Sequence, residues 1–325
     1  KKFMVKLLSL LNEHFPNETI LKLVITIPER ENVIVDLLKN ILAELGIRND
    51  RLVILGHKQS YMYYAVSQPK ELWANSVGLF EFDEMGLRYT NLTVDKRTIP
   101  YIVGADVHDL SDIMPYSVLQ EKGDVKYMFL NTANTMLHKK MVTTIYVTGK
   151  GFDQRWATDA LKELCNGRRV FRGQNLFNKG AAYAARMLTD REKTKEFIFL
   201  DDDMLTSDIS IRTYHNAKMH DVVLAKAGTL WSDIDESIDI IPDNEDEIQI
   251  TDKNVLTRET RAHILSLSGF AVRDNKTTRF TVRIRFADQY TCIVTLKDNG
   301  FGEFYPSTNR IWERYIKING ADSKN

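Results

Sequence analysis

The sequence predicts an α/β domain followed by an all-β domain of the sandwich type. The first half alternates apolar runs with helical patterns and begins with a βαβ unit at residues 21–56. From Asp208 onward, seven short β-type runs are separated by turn residues, which is typical of a β-sandwich. We therefore expect one domain at residues 1–196, a linker at 197–206 and a β-sandwich at 207–325.

The elements of the first domain follow from apolar spacing. LKLVITIP (residues 21–28) and RLVILG (residues 51–56) are typical of buried strands, and a helix that ends at Gly46 is expected between them. A helix is expected at residues 58–67, and SVGLFEFD and LRYTNLTVD predict a hairpin around Gly86. Further helices are expected near residues 124–140, between Gly151 and Gly167, and at 180–188, where small residues favour close packing on a neighbour.

Composition excludes several classes of function. Lys plus Arg equals Asp plus Glu at 44 each, so no global field attracts nucleic acid or an anionic membrane. The 2 cysteines lie far apart without zinc spacing, which indicates a reducing compartment. No apolar run suits a bilayer and no signal peptide is visible, so we expect a cytoplasmic protein without nucleic-acid or membrane partners. The chain opens KKFMVKLLSLL without an initiating Met, as expected of part of a longer protein.

The stretch IYVTGKGFD, residues 145–153, is a β-type run that breaks at Gly149 and Gly151. A dinucleotide fingerprint would need a third glycine where Gln154 stands. A P-loop would need a glycine where Thr144 stands, and a Ser or Thr in place of Gly151. Two interpretations stay open, namely a tight strand-to-helix turn and a strand that ends against the base or ribose of a ligand.

The wider context resembles the actin, sugar-kinase and DnaK-type chaperone ATPases. IYVTGKGFDQRWATDALKEL…GAAYAA is similar to their adenosine-binding segment, LVITIP to their strand VITVP, and VGLFEFDEMGLRYTNLTV stands where their second phosphate loop lies. FIFLDDDMLTSDISIRT resembles the DnaK-type linker and the first strand of the substrate domain. Over residues 21–303, the resemblance implies the second lobe of an actin-like, ribonuclease-H-like ATPase fold followed by a DnaK-like β-sandwich. It also implies a divergent bacterial branch whose first lobe either lies outside this chain or has been lost.

The resemblance implies a set of cofactor-binding residues, namely Gly149, Gly151, Phe152, Gly86 and Thr90. The second phosphate loop is degraded, because only one glycine remains and the carboxylates of Glu81, Asp83 and Glu84 would repel a triphosphate. The family's first phosphate loop and its catalytic glutamate and lysine have no counterpart here. Phosphoryl transfer needs both loops and a metal ion, so we expect no ATP hydrolysis by this chain, and ATP or ADP only in a longer one.

Three functions are weighed. The resemblance implies a chaperone-like or scaffold protein whose β-sandwich holds a peptide or partner protein through backbone pairing and apolar pockets. The alternative is a metal-dependent glycosyltransferase, since Asp201-Asp202-Asp203 follows an apolar strand and carboxylates suit Mg²⁺ or Mn²⁺. The third is a purely structural interaction module. Arg168, Arg169 and Arg172 predict a solvated loop, with a phosphate or nucleic-acid contact as the alternative.

Overall fold

The computed structural model describes residues 1–97, 99–120, 123–215, 218–243, 247–268, 270 and 273–318. The chain divides into two compact units, which we call the α/β unit (Lys1–Phe199) and the β unit (Leu200–Asn325). The predicted change from mixed α/β to all-β structure along the chain is confirmed. Among the described residues, no helix has the length and apolar character needed to cross a membrane.

The α/β unit begins with a helix and a βαβ unit. Its first five regular elements are α1 (Lys2–His14), β1 (Leu23–Ile27), α2 (Asn32–Glu44), β2 (Leu52–Gly56) and α3 (His57–Val66). Strands β1 and β2 pair in parallel, as predicted, and α2 connects them. The apolar face of α2 packs through Val35 and Leu42 against Leu52 and Ile54 of β2. Helix α1 was not predicted, and it joins this cluster through Met4 and Leu8.

The rest of the α/β unit is built on a six-stranded mixed sheet. Its strands are β3 (Ser76–Asp83), β4 (Gly86–Asp95), β5 (Tyr101–Asp109), β6 (Val142–Thr148), β7 (Arg169–Arg172) and β8 (Phe197–Leu200), in the order β7-β6-β3-β4-β5-β8. Strands β3, β4 and β5 form an antiparallel meander, whereas β6 pairs in parallel with β3, and β7 with β6. The connecting and flanking helices are α4 (Val125–Leu137), α5 (Arg155–Leu164), α6 (Leu176–Thr189) and α7 (Arg191–Thr194).

Two strands replace segments that were expected to lack regular structure. The arginine-rich segment expected as a loop forms β7, because its Phe171 stacks on Tyr146 of β6 with ring centroids 5.5 Å apart. The start of the expected linker forms β8, because its aromatic side chains are held in the unit's core. Phe197 lies 6.0 Å from Trp73 between ring centroids, and Phe199 stacks on Tyr63 at 4.0 Å.

The β unit consists of two antiparallel sheets. One has the order β10-β9-β12-β13, with β9 (Ser207–His215), β10 (Lys218–Ala225), β12 (Glu247–Asn254) and β13 (Thr260–Ser266). The other has the order β11-β14-β15-β16, with β11 (Asp235–Ile240), β14 (Phe280–Asp288), β15 (Thr291–Asp298) and β16 (Ile311–Lys317). Both sheets contribute to one hydrophobic core, for example through Ile211 and Ile250 from the first and Ile284 and Val294 from the second. The seven predicted strands are present, and β16 is an eighth.

Candidate functional site

The two glycines of the strand break are explained by contact with the neighbouring strand β3. Gly149 has φ of +100°, and a Cβ atom there would lie 2.2 Å from the carbonyl oxygen of Phe82. A Cβ atom on Gly151 would lie 2.3 Å from the Phe82 ring. Glycine is needed at both positions because a Cβ atom would clash with Phe82, and at Gly149 also because L side chains rarely adopt a φ of +100°. The turn interpretation therefore has direct support, while the adenosine-facing interpretation stays a prediction.

The other three predicted cofactor-binding residues also make internal contacts. Phe152 is 1 % exposed and packs edge-on against Phe129, with ring centroids 5.2 Å apart. Gly86 has φ of +94° in the hairpin between β3 and β4, and a Cβ atom there would lie 2.6 Å from Cβ of Ser111. Thr90 is buried in the middle of β4, between Leu79 of β3 and Val107 of β5 in the strand register.

The structure brings the two predicted nucleotide-binding segments together. Phe82 of the hairpin fills the space beside the Gly149 turn, and Lys150 Nζ donates a hydrogen bond of 2.9 Å to Glu84 Oε1. This hydrogen bond lowers the pKa of the Glu84 carboxyl group. Burial, the largest influence on Asp83, raises the pKa of that carboxyl group. Asp83 Oδ1 accepts a hydrogen bond of 3.0 Å from the backbone N–H of Met85, and Glu81 lies beside Arg88. The hairpin carboxylates that were expected to repel a phosphate therefore interact with the protein's own groups.

A charged cluster lies where β2 and β3 approach their carboxyl ends, and the sequence reasoning missed it. Arg88 of β4 lies opposite Glu81 in the hairpin register, with Nη2 3.5 Å from Glu81 Oε2 and Nη1 3.9 Å from Glu29 Oε1. His57 stacks on Phe177 with ring centroids 3.8 Å apart, and its Nδ1 lies 3.7 Å from Glu81 Oε1. That distance is too long for a hydrogen bond, so Nδ1 is buried without a partner in the part of the chain that the structure describes. The sequence contained one signal for this cluster, because the predicted hairpin implies that Glu81 and Arg88 lie opposite each other.

The three aspartates of the glycosyltransferase alternative lie in the turn after β8. Asp201 Oδ1 accepts a hydrogen bond from the backbone N–H of Asp202 at 2.9 Å, and the carbonyl oxygen of Asp203 accepts one from the N–H of Trp231. Within the described ranges, no three His, Cys, Asp or Glu side chains are grouped so that they could hold a metal ion. The glycosyltransferase alternative stays a prediction.

A concave surface lies in the β unit, between β10 and β11. These are edge strands, since β10 pairs only with β9 and β11 only with β14 among the described strands. The groove between them has a volume of about 1420 Å³. Residues 238–243 line it without a break, and so do residues 219–222 of β10. Each of these two strands has one backbone edge that no other described strand pairs with, and both strands border the groove.

The groove combines an apolar interior with an acidic margin. Ile238, Ile240 and Ile248 contribute apolar surface near the core, and Tyr214 and Met219 are exposed apolar side chains at the opening. The carboxylates that line it among the described residues are those of Asp221, Asp239, Asp243 and Glu247, against the cations of Arg212 and Lys276. Lys276 Nζ is already paired with Asp243 Oδ2 at 2.9 Å. The lining therefore carries an excess of negative charge.

Comparison with known protein families matches two stretches of the chain. The model of a family of unknown function (DUF5716), for its C-terminal part, matches residues 1–202. The model of a domain of unknown function (DUF8552) matches residues 204–318. No curated protein matches the chain. The border between the two matches lies close to the border between the two structural units.

Proposed function

The chain belongs to the DUF5716 family, and we propose that it binds an extended segment of a partner protein in the groove of its β unit. The observation that carries this proposal is the pair of edge strands, β10 and β11, that border an apolar groove. An edge strand has unpaired N–H and C=O groups, which an extended peptide can use by adding itself to the sheet. The activity is therefore protein binding, of the chaperone-like or scaffold kind that the sequence resemblance implies.

The bound segment pairs with β11. The groove-lining run at residues 238–243 covers the end of β11 and continues beyond it, so a peptide laid there can extend past the strand. Backbone pairing supplies affinity that does not depend on sequence, and alternate side chains of the peptide enter the groove. Ile238 and Ile240 then offer apolar contact on the core side.

The negative charge of the groove lining determines which peptide sequences bind best. The carboxylates that line the groove outnumber its cations among the described residues, and they favour basic residues beside the apolar ones, because opposite charges attract across the interface and like charges are excluded. We therefore expect segments that combine Lys or Arg with large apolar residues. Since the margin is exposed, this preference weakens as ionic strength rises.

The α/β unit is proposed to be a degenerate second lobe of an actin-like, ribonuclease-H-like ATPase fold. The strand order of the six-stranded sheet supports this proposal. Strands β3, β4 and β5 form an antiparallel meander, and β6 and β7 continue the sheet beside β3 as parallel strands. The exposed apolar side chains of Phe3, Leu21 and Val33 support a further lobe packed on this part of the unit. Nucleotide binding in this lobe remains a proposal that rests on the resemblance.

The peptide proposal is tested with fluorescent peptides and two matched variants. Met219 and Ile264 lie on opposite edge strands of the same sheet and are 54 % and 52 % exposed, but only Met219 lines the groove. In polarisation titrations with an array of basic–apolar peptides, Met219→Lys should weaken binding about tenfold, since it removes apolar surface at the opening and places there a charge that repels basic peptide residues. Ile264→Lys should leave the affinity unchanged.

The outcome also separates the competing functions. An array without any binding peptide would favour the purely structural module. Equal losses in the two variants would show that the groove is not the binding site. Preference for acidic peptides would contradict the charge argument while leaving the groove in place.

A further inference from the structure

We propose a second ligand site, in the α/β unit, that binds the phosphate group of a small molecule. It is a cavity of about 470 Å³ where β6 and β7 begin. That volume falls within the range of about 300–1,000 Å³ that is common for small-molecule pockets. This site is separate from the groove of the β unit, and its argument does not depend on peptide binding.

A β-bulge at the start of β6 brings two hydroxyl groups to the cavity. The register between β3 and β6 shifts there, since Ser76 pairs with Val142 but Val77 pairs with Thr144. The extra residue is Thr143, and bulges of this kind redirect side chains. Thr143 and Thr144 both line the cavity, and in the part of the chain that the structure describes neither buried Oγ1 atom has a hydrogen-bond partner.

Thr144 is the decisive residue because it is fully buried, with 0 % exposure. A buried hydroxyl without a partner is unfavourable, and native proteins rarely leave one unexplained. A ligand oxygen in the cavity would accept a hydrogen bond from Thr144 Oγ1. The unsatisfied hydroxyl therefore indicates that the cavity takes a hydrogen-bond acceptor.

Two arginines that line the cavity favour an acceptor with a negative charge. Arg168 and Arg169 line the same cavity, and Arg169 lies opposite Thr144 in the parallel register of β6 and β7. Within the described residues, neither guanidinium group takes part in an ion pair or a side-chain hydrogen bond. Guanidinium groups match the oxygen geometry of phosphate and form paired hydrogen bonds with it.

Glu71 limits the charge of the ligand. Its carboxylate is the acidic group among the described residues that line the cavity, so the lining carries two positive charges and one negative. A net charge of this size suits one phosphate group and disfavours a polyphosphate or a nucleic-acid backbone, which need several cations. A phosphate contact was one alternative that the sequence left open for these arginines, and the cavity provides a place for it.

The reactivity of Cys165 can be used to measure phosphate binding in the cavity. Its thiol is exposed and lines the cavity, whereas Cys292 is buried, which raises the pKa of that thiol to about 12. Modification of the full chain by N-ethylmaleimide therefore reports on Cys165, because the thiolate is the reacting form. We expect inorganic phosphate to slow this reaction in a saturable way. Sodium acetate or sodium chloride at the same ionic strength should have no such effect.

Four variants assign the effect to the cavity. The double variant Arg168→Gln, Arg169→Gln should abolish protection by phosphate, and Arg155→Gln, an exposed arginine of α5 outside the cavity, should retain it. Thr144→Val keeps the shape of the side chain and should weaken phosphate binding about tenfold. Glu71→Gln removes a repelling charge and should strengthen it severalfold. Protection by acetate equal to that by phosphate, protection that survives the double arginine substitution, or absence of protection in the unmodified sequence would each overturn the proposal.

Discussion

Phe82 is the residue that explains the strand break at Gly149. Its carbonyl oxygen and ring occupy the space that Cβ atoms at positions 149 and 151 would need. The sequence predicted a close approach at these glycines, but Phe82 is distant along the chain and its role could not be predicted. The same packing buries Phe152, which the resemblance had placed at a cofactor.

Gly149→Ala tests this explanation. We expect a loss of stability of about 3 kcal/mol or more, because a φ value that only glycine readily adopts costs ~1–3 kcal/mol and the clash with Phe82 adds to it. The control is Gly167→Ala, where φ is +73° and no atom lies within 4 Å of the added Cβ, so the loss should be about 1 kcal/mol. Urea unfolding measures both. If Gly149→Ala instead keeps its stability but abolishes heat from titration with ADP and Mg²⁺, the nucleotide interpretation is right.

Asp298 carries a pH-dependent part of the β unit's stability. Burial by itself raises the pKa of this carboxyl group, but hydrogen bonds from Thr308, from the N–H of Gly300 and from Arg273 outweigh burial and lower the pKa to about 2. The native pKa lies below the ordinary value of 3.8. The stabilisation is therefore complete above about pH 4 and is lost as the pH falls toward 2.

Asp298→Asn should consequently destabilise the protein by about 2 kcal/mol at pH 7, and the difference should shrink as the pH approaches 2. Asp221→Asn, an exposed carboxylate of β10, should cost little at any pH. Urea midpoints measured from pH 7 to pH 2 check both variants. A difference that stays constant across this range would contradict the assignment to the Asp298 carboxylate.

At the scale of elements, amphipathic and alternating sequence patterns predicted the helices and strands whose formation depends on neighbouring residues in the chain. The βαβ unit, the β3–β4 hairpin and the seven strands of the β unit are present. The small residues of α6 were expected to allow close packing, and a Cβ atom on Gly180 would lie 1.9 Å from the carbonyl oxygen of Ser60 in α3. Such a contact requires glycine on one helix, since the backbones meet there.

The missed elements depend on partners that local sequence does not show. Strand β7 alternates arginines with Val170 and Phe171, a pattern that also fits a solvated loop, and pairing with β6 decides between them. Strand β8 resembled a linker until its aromatic residues were placed in the core of the α/β unit. The cluster of His57, Glu81 and Arg88 joins three elements, so only the register of β3 and β4 could have indicated part of it.

At the scale of the molecule, the two units suit different tasks. The α/β unit surrounds its predicted nucleotide residues with its own side chains, whereas the β unit offers open strand edges beside an apolar groove. The sequence predicted this division into two kinds of structure. It could not predict the groove, because β10 and β11 belong to different sheets and become neighbours only in the folded unit.

The most direct test of the central claim is hydrogen exchange at the backbone amides of β11 with a basic–apolar peptide bound. Strand addition should slow exchange at alternate amides of β11, since those N–H groups gain partners. Strand β16, the opposite edge of the same sheet, is the internal control and should exchange as before. Unchanged exchange in β11 at saturating peptide, or protection confined to β16, would contradict the account.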